Sequence, residues 1–435
     1  MICLDASDIA AVLADERLLE PEKYEEFVAA MLPLCQDLPI LGRELVYRGW
    51  LTSFQLEQIV AGQAEGLFLG SYVLIAPLGE GGMGRVYLAR NYKLDCYVAI
   101  KVMRDEQARR PAVLARFHRE IRALGRIRHP NIVQAIDADA LPGAIYYVMQ
   151  HFEGIDLGRF VRQNGPLLVA DACDYVLQVA DALKHASQNG LIHRDIKPSN
   201  LLLTEPDHMV KVLDLGLTRC EVPESDSIFN ELTRAGTIIG TPDYMPPEQI
   251  KDSRSADIRS DLYSLGCTFY YLLSGRAPFE HLTATVDKLC AHEDLMPTPI
   301  RHLRPDVPPE VASIVERLMA KRRRDRIQTP DALMAELRDV VQMLYSPMRD
   351  TLVDTPALTL IDVPMLPILA EIPRTVVFEE GEIDVMTQAR IEPEPPPRRQ
   401  CWYEFHPLQL LIATVLAALA LVVLWQSGYG PNAGR

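Results

Sequence analysis

The stretch that decides the fold is His193-Arg194-Asp195-Ile196-Lys197-Pro198-Ser199-Asn200, and Asp214-Leu215-Gly216 begins fourteen residues beyond Asn200. An aspartate that can accept a proton from a hydroxyl, a lysine two residues on and an asparagine five residues on are side chains that suit phosphoryl transfer. The side-chain oxygens of Asn200 and Asp214 are the ligands that a hard cation such as Mg²⁺ prefers. The spacing therefore predicts a site where phosphates, a divalent cation and an attacking hydroxyl meet.

A glycine-rich segment precedes this stretch, in a region of short β-rich runs. Residues 78–86, Leu-Gly-Glu-Gly-Gly-Met-Gly-Arg-Val, form a GxGxxGxV loop between two predicted strands. Glycines let a backbone approach a triphosphate closely, and the N–H groups of such a turn can donate to phosphate oxygens. The loop is followed by a strand and not by a helix, so the dinucleotide-binding form of this motif does not fit. On its own the segment is equally compatible with an ordinary hairpin turn.

A lysine in an apolar strand makes the phosphate interpretation specific. Val98-Ala99-Ile100-Lys101 places Lys101 on the third predicted strand, 17 residues after Gly84. A buried lysine without an acidic partner tends to lose its proton, and Glu120 on a predicted helix over 111–127 is the candidate partner. A solvated strand lysine is the alternative, but the apolar neighbours of Lys101 disfavour it.

Taken in order, these motifs resemble the eukaryotic-like (Hanks-type) serine/threonine protein kinases of bacteria, over about residues 72–345. The resemblance implies the bilobal protein-kinase fold of the α+β class, with a small β-rich N-lobe, a larger helical C-lobe and a cleft between them. It implies transfer of the ATP γ-phosphoryl group to Ser and Thr hydroxyls of proteins, including the chain itself. The implied cofactors are ATP and Mg²⁺, with Mn²⁺ as a substitute ion.

The resemblance assigns roles to matching positions. Asp195 would be the catalytic base, Lys197 would steady the γ-phosphate, and Lys101 would bind the α- and β-phosphates while paired with Glu120. The metal ligands would be Asn200 and Asp214. The residues expected around ATP are Leu78, Gly79, Glu80, Gly81, Gly82, Met83, Gly84, Val86, Ala99, Lys101, Met149 and Leu202. Among these, Met149 would be the gatekeeper before a hinge at residues 150–152.

Further positions would support the catalytic loop. Glu248, at the end of the activation segment, would pair with Arg326, and Asp261 would brace the catalytic loop. Thr241 would have a structural role at the substrate groove. Arg194 implies control by phosphorylation, because a phosphate of about −2 charge would dock on it and order the activation segment. The candidate acceptors are Ser225, Ser227, Thr233 and Thr237, with Thr233 preferred and Thr237 second.

The sequence departs from the family pattern at two places. Leu215 stands where Phe is usual in the Asp-Phe-Gly motif, and Pro246 stands where Ala is usual before Pro-Glu. Leu215 keeps an apolar side chain and neither change removes a charged catalytic group, so we expect activity to be retained.

The regions on either side of the kinase domain are acidic. Of the formal net charge of −15, residues 1–65 carry −8 and residues 345–400 carry −5. Helical spacing of Tyr24, Phe27, Val28, Met31 and Leu32, with a capping box at Thr52-Ser53-Phe54-Gln55, predicts a small helical module over 1–66. Its role as a packing appendage or as a docking or regulatory module stays open. Nine prolines in residues 345–400 indicate an acidic linker over 346–406.

A single membrane span is predicted near the C-terminus. Residues 407–425 run for 19 residues without a charge and are followed by a short tail, 426–435. At 1.5 Å per residue, a helix of this length covers roughly 28 Å, close to the ~30 Å of a hydrocarbon core. Arg398 and Arg399 before the span, against Arg435 after it, predict a cytoplasmic-membrane protein with the kinase domain on the cytoplasmic side.

The sequence also bears on possible partners and on two other functions. The acidic balance argues against nucleic acid as a partner. Thr351-Leu352-Val353-Asp354 matches a pThr-x-x-Asp pattern that an FHA-type reader would bind, although a solvated linker threonine is the simpler interpretation. Dimerisation at the membrane would favour autophosphorylation.

A pseudokinase scaffold would commonly lack one of the catalytic residues, and the full activation segment disfavours a small-molecule phosphotransferase.

Overall fold

The part of the chain that the computed structural model describes contains two antiparallel sheets and twelve α-helices. The described residues are 6–15, 18–33, 37–81, 84–103, 121, 124–141, 144–215, 242–252 and 255–353. All of them lie in one unit, Met1–Leu358.

The N-terminal segment is helical. Its helices are α1 (Ala6–Leu13), α2 (Pro21–Glu26), α3 (Leu38–Tyr47) and α4 (Ser53–Val60). The predicted capping box begins α4, because the Thr52 hydroxyl accepts from the Gln55 N–H and the Gln55 side chain accepts from the Thr52 N–H. The helical spacing predicted after Pro21 is only partly an α-helix: α2 gives way to a π-helical turn at Phe27–Met31, and Val28 lies exposed.

A six-stranded antiparallel sheet follows. Its strands are β1 (Phe68–Leu69), β2 (Tyr72–Gly81), β3 (Gly84–Asn91), β4 (Cys96–Met103), β5 (Ala135–Leu141) and β6 (Ala144–Gln150). The spatial order is β1-β2-β3-β4-β6-β5. Strand β5 was not predicted, since its sequence Ala-Ile-Asp-Ala-Asp-Ala-Leu is poor in β-formers; it is tolerated at the sheet edge, where β6 is its neighbour.

The helical N-terminal module covers one face of this sheet. Because side chains alternate along a strand, Val98 and Ile100 on β4 face the module, and they share a buried cluster with Leu41 and Ile59. Polar contacts fix the packing: the Gln55 Nε2 donates to the Leu74 carbonyl at 2.8 Å, and the Thr52 hydroxyl donates to the Ile75 carbonyl at 2.5 Å. The module and the small lobe therefore share one hydrophobic core, on the face opposite Lys101.

The large lobe is mainly helical. Its elements are the small sheet β7 (Gly154–Asp156), β8 (Leu201–Thr204) and β9 (Val210–Val212), and the helices α5 (Leu157–Asn164), α6 (Val169–Gln188), α7 (Pro247–Lys251), α8 (Ile258–Ser274), α9 (Thr285–Asp294), α10 (Ile300–Leu303), α11 (Pro309–Leu318) and α12 (Pro330–Val353). Helix α8 is apolar or small over most of its surface and is buried from Ser260 to Leu273, so it forms the centre of the lobe. A capping box between Asp257 and Ser260 sets the start of this helix.

The expected bilobal architecture, with a β-rich small lobe and a helical large lobe, is present. The predicted helix over 111–127 lies mostly outside the described residues, as does the whole predicted span over 407–425. Residues 346–353, predicted as the start of the linker, are instead the end of α12, and the rest of the predicted linker lies outside the described residues. No helix in the described part of the chain combines the length and the apolar composition that a bilayer crossing requires.

Candidate active site

Lys101 and Asp214 meet between the lobes. The Lys101 Nζ on β4 donates to the Asp214 Oδ2 at 2.8 Å, with 8% of the lysine side chain and 24% of the aspartate side chain exposed. The Tyr147 hydroxyl on β6 donates to the other carboxylate oxygen, Oδ1. Two residues of the small lobe thus hold both oxygens of one carboxylate that follows β9 in the large lobe.

The surroundings of Asp214 favour its charged form. Burial alone would raise the pKa of this carboxyl, but the Lys101 charge, the Lys101 hydrogen bond and the Tyr147 hydrogen bond together hold the pKa below its usual value. Burial, with the Asp214 charge beside it, raises the pKa of Tyr147 well above its usual value. At neutral pH the pair is therefore a phenol donating to a carboxylate.

The catalytic-loop residues form a second cluster. The Lys197 Nζ lies 2.8 Å from the Asp195 Oδ2, and the Asn200 Nδ2 donates to the same oxygen at 3.0 Å and to the Asp195 carbonyl at 2.7 Å. Because the amide nitrogen of Asn200 is turned towards Asp195, its amide oxygen is the atom that can ligate a metal ion. The donor set of one carboxylate and one amide fits Mg²⁺, which takes one or two protein oxygens and completes its shell with phosphates and water.

The backbone joins the two clusters. The Leu213 N–H donates to the Asn200 carbonyl at 2.9 Å, and a ring nitrogen of His193, Nε2, lies 2.8 Å from the Leu213 carbonyl oxygen. His193 is fully buried. The segment that carries Asp214 is thus anchored directly to the loop that carries Asp195.

Asp261 holds the catalytic loop in an unusual conformation. Its two carboxylate oxygens accept the N–H groups of His193 at 2.8 Å and Arg194 at 2.7 Å. Arg194 has φ of +68° and Asp214 has φ of +54°, conformations that cost non-glycine residues on the order of 1–3 kcal/mol each. The Gln249 side chain also donates to the Arg194 carbonyl at 2.9 Å. Asp261, from the start of the buried helix α8, therefore offsets strain at the catalytic loop.

The glycine-rich loop joins β2 to β3. Leu78, Gly79, Glu80 and Gly81 lie on β2, whereas Gly82 and Met83 are outside the described residues. Gly84 is required, because its φ is +149° and an added Cβ would lie 2.0 Å from the Val102 carbonyl oxygen. The Glu80 and Arg85 side chains lie 3.3 Å apart on either side of the turn.

The residues expected around the adenine ring lie on strands of both lobes. Ala99 is the cross-strand partner of Met149, and both are buried in the large core cluster. Val86 on β3 packs against the same cluster, and Leu202 lies on β8 in the large lobe. Residues 151–153 connect the two lobes without regular structure.

A buried ion pair holds the end of the activation segment. The Arg326 guanidinium donates to the two Glu248 oxygens at 2.7 and 2.8 Å, and the Ser260 hydroxyl donates to Glu248 at 2.6 Å. Arg326 also donates to the carbonyls of Ala320, Lys321 and Arg259. Glu120, the predicted partner of Lys101, lies outside the described residues, as do the predicted activation-segment residues Thr233, Thr237 and Thr241.

The contact between Tyr147 and Asp214 was not predicted. Tyr147 stands two residues before Met149 on β6, so the two side chains lie on one face of the strand.

Four consecutive basic residues, 321–324, lie in the large lobe outside this site. Lys321 donates to the carbonyls of Ala291 and His292, and Arg323 donates to the Ser255 carbonyl, so part of this run serves internal contacts.

The class of the protein follows from a β-rich lobe, a helical lobe and, between them, side chains that suit phosphoryl transfer. The family model for the protein kinase domain matches residues 72–337, more than half of the chain, and the chain therefore belongs to this family. Together with the bacterial relatives described next, this match confirms the predicted resemblance to the bacterial Hanks-type kinases.

Two curated relatives and one solved structure show the similarity. Serine/threonine-protein kinase pkn3 of Myxococcus xanthus is 38% identical over 276 residues, which cover 62% of this chain and 50% of that protein. PknB of Mycolicibacterium smegmatis is 36% identical over 271 residues, covering 61% and 42%. The crystal structure of the Mycobacterium tuberculosis PknI kinase domain aligns with a TM-score of 0.50 at 25% identity, covering 63% of this chain and 98% of that one. The chain spans about half or less of the length of the curated relatives.

Proposed function

We propose that the chain is a serine/threonine protein kinase that transfers the γ-phosphoryl group of ATP to Ser and Thr hydroxyls of proteins. One observation carries the proposal: Lys101, Asp195, Lys197, Asn200 and Asp214 come from both lobes and lie in two hydrogen-bonded clusters that the backbone joins. The names of the curated relatives support the choice of Ser and Thr over Tyr.

Each side chain has a position that suits its proposed role. MgATP, when bound, supplies the phosphoryl group and the metal charge. Lys101 carries a positive charge to the α- and β-phosphates, Asn200 and Asp214 supply metal ligands, and Mn²⁺ can replace Mg²⁺ in such an oxygen site. Asp195 orients the attacking hydroxyl and accepts its proton, while Lys197 beside it neutralises charge on the transferred group.

Autophosphorylation is part of the proposal. The Arg194 N–H donates to Asp261, and the Arg194 carbonyl accepts from the Gln249 side chain, so the backbone that carries the guanidinium is fixed. A phosphate on Thr233, or secondarily on Thr237, would dock there. We propose that the reaction occurs between two chains of a dimer, and that phosphorylation of Thr351 would create a site for an FHA-type reader.

The full chain, incubated with γ-labelled ATP, Mg²⁺ and a general protein substrate, is expected to label Ser and Thr of that substrate. Mass spectrometry of the same sample is expected to find phosphate on Thr233 or Thr237. An unlabelled substrate would support a scaffold and contradict the kinase, whereas a fully active chain without phosphate in 214–248 would remove the proposed activation mechanism. Absence of phosphate at Thr351 would remove the reader site.

We propose further that residues 407–425 anchor the chain in the cytoplasmic membrane, with the kinase domain on the cytoplasmic side. The support is the uncharged 19-residue run, with Trp402 and Tyr403 before it and Trp425 at its end, where aromatic rings favour the interface. The full chain is expected in the membrane fraction after alkaline carbonate washing, and a chain ending at residue 406 in the supernatant. A chain ending at residue 425 is the control and should stay with the membrane. If all three chains were distributed in the same way between the membrane fraction and the supernatant, the proposed anchor would be contradicted.

A further inference from the structure

Tyr147 makes a contact that the proposed catalytic roles do not require. Lys101 and Tyr147 are direct cross-strand partners in the β4–β6 pair, so their side chains leave the sheet side by side on one face. Tyr147 is 3% exposed, and its hydroxyl reaches across to the Asp214 Oδ1 in the other lobe. The buried phenol thus donates to one oxygen of the Asp214 carboxylate.

The two donors from the small lobe fix the orientation of one carboxylate. Lys101 takes Oδ2 and Tyr147 takes Oδ1, so rotation of the Asp214 carboxylate about its Cβ–Cγ bond breaks at least one of the two hydrogen bonds. A carboxylate has about four lone-pair directions, and one donor on each oxygen leaves the others for a metal ion. Partners of this kind orient metal ligands, and their removal typically lowers metal affinity roughly 10–100-fold.

We infer that Tyr147 is a positioning residue for the metal ion: it holds the Asp214 carboxylate in the orientation that ligates the cation bound with ATP. This inference rests on the proposed function, which makes Asp214 a metal ligand. It goes beyond that function by adding a residue that acts on the metal ion through its hydrogen bond to Asp214. It also adds, beside the Lys101 hydrogen bond, a second direct contact between the small lobe and the segment that carries Asp214.

Tyr147→Phe in the full chain tests the inference, since phenylalanine keeps the buried ring and removes the hydroxyl alone. The probe is Mn²⁺, titrated into protein saturated with a non-hydrolysable ATP analogue, with free Mn²⁺ measured by electron paramagnetic resonance. We expect the Mn²⁺ dissociation constant to rise about tenfold. Binding of the same analogue in the presence of EDTA should be unchanged, because the hydroxyl removed by the substitution is the one that donates to Asp214.

Tyr146→Phe is the matched control. Tyr146 is the preceding residue on β6, equally buried, but it faces the N-terminal module and packs edge-on against Tyr72 with ring centroids 6.4 Å apart. This variant should bind Mn²⁺ as the wild type does, and thermal unfolding of both variants checks that they are folded. An unchanged dissociation constant in Tyr147→Phe, or an equal rise in Tyr146→Phe, would overturn the inference. Failure of the wild type to bind the analogue at all would instead count against the proposed function.

Discussion

Replacing Asp195 with asparagine is expected to lower kcat for phosphoryl transfer by roughly 10²–10⁴-fold, the usual contribution of a positioned general base. An amide cannot accept the proton of the attacking hydroxyl, and it removes the negative charge beside Lys197. The contact between the Asn200 side chain and the Asp195 carbonyl at 2.7 Å is made to the backbone and survives the substitution. ATP binding and metal binding should therefore stay close to wild type, and steady-state kinetics with calorimetric ATP titration measures both quantities.

Asp331→Asn provides a control of the same chemistry. Asp331 pairs with Lys184 on the surface of the large lobe, away from the cleft, so its loss should leave kcat unchanged. An Asp195→Asn variant that kept more than a tenth of the wild-type kcat would show that another group takes the proton. Loss of ATP binding in that variant would indicate that Asp195 holds the site together and does not act in the chemical step.

The site was predictable from the sequence because phosphoryl transfer restricts residue types at fixed spacings. The residues of 193–200 and Asp214 could be assigned to one site before any contact was known, and the structure brings them together with Lys101. The strands on either side of the glycine-rich loop were predictable for a similar local reason, since Tyr72, Val73 and Ile75 precede, and Val86 and Tyr87 follow, a turn that requires Gly84.

Contacts between distant strands were not predictable in this way. The hydrogen bond from Tyr147 depends on the register that pairs it with Lys101, 46 positions earlier in the chain, and strand register is set by the packed sheet. The packing of the N-terminal module on β4 could not be predicted from the sequence for a related reason. Apolar residues such as Leu41 and Ile59 identify a buried face, but they do not identify the surface that covers it.

The second large effect concerns stability: Glu248→Gln is expected to lower the free energy of unfolding by about 3–5 kcal/mol. Glutamine leaves the Arg326 charge, whose side chain is fully buried, without a counter-charge. The three carbonyls that accept from Arg326 cannot replace that charge, because they are neutral. Urea unfolding at neutral pH, followed by far-UV circular dichroism, measures the loss.

Glu336→Gln is the matched control, because it removes the same charge from an exposed Arg–Glu pair on the same lobe. Arg317 and Glu336 are 44% and 36% exposed, and pairs of this kind contribute roughly 0–1 kcal/mol. A similar loss of unfolding free energy in both variants would mean that burial of the Glu248–Arg326 pair does not increase its contribution to stability. If Glu248→Gln lowered the free energy of unfolding by less than about 1 kcal/mol, the three carbonyl acceptors would be enough to stabilise the buried Arg326 charge.

The same pair gives a pH dependence whose sign can be worked out. Burial raises the pKa of Glu248, but the hydrogen bond and charge of Arg326, with the Ser260 hydroxyl, bring the pKa below its usual value of 4.5. A carboxyl with a lowered pKa in the folded protein contributes stability that is present above pH 4.5 and is lost as the pH falls through the folded pKa. The stability difference between wild type and Glu248→Gln should therefore be constant from neutral pH to about pH 5 and should shrink below 4.5. A difference that stayed constant through the acid range would show that Glu248 is not the group that titrates.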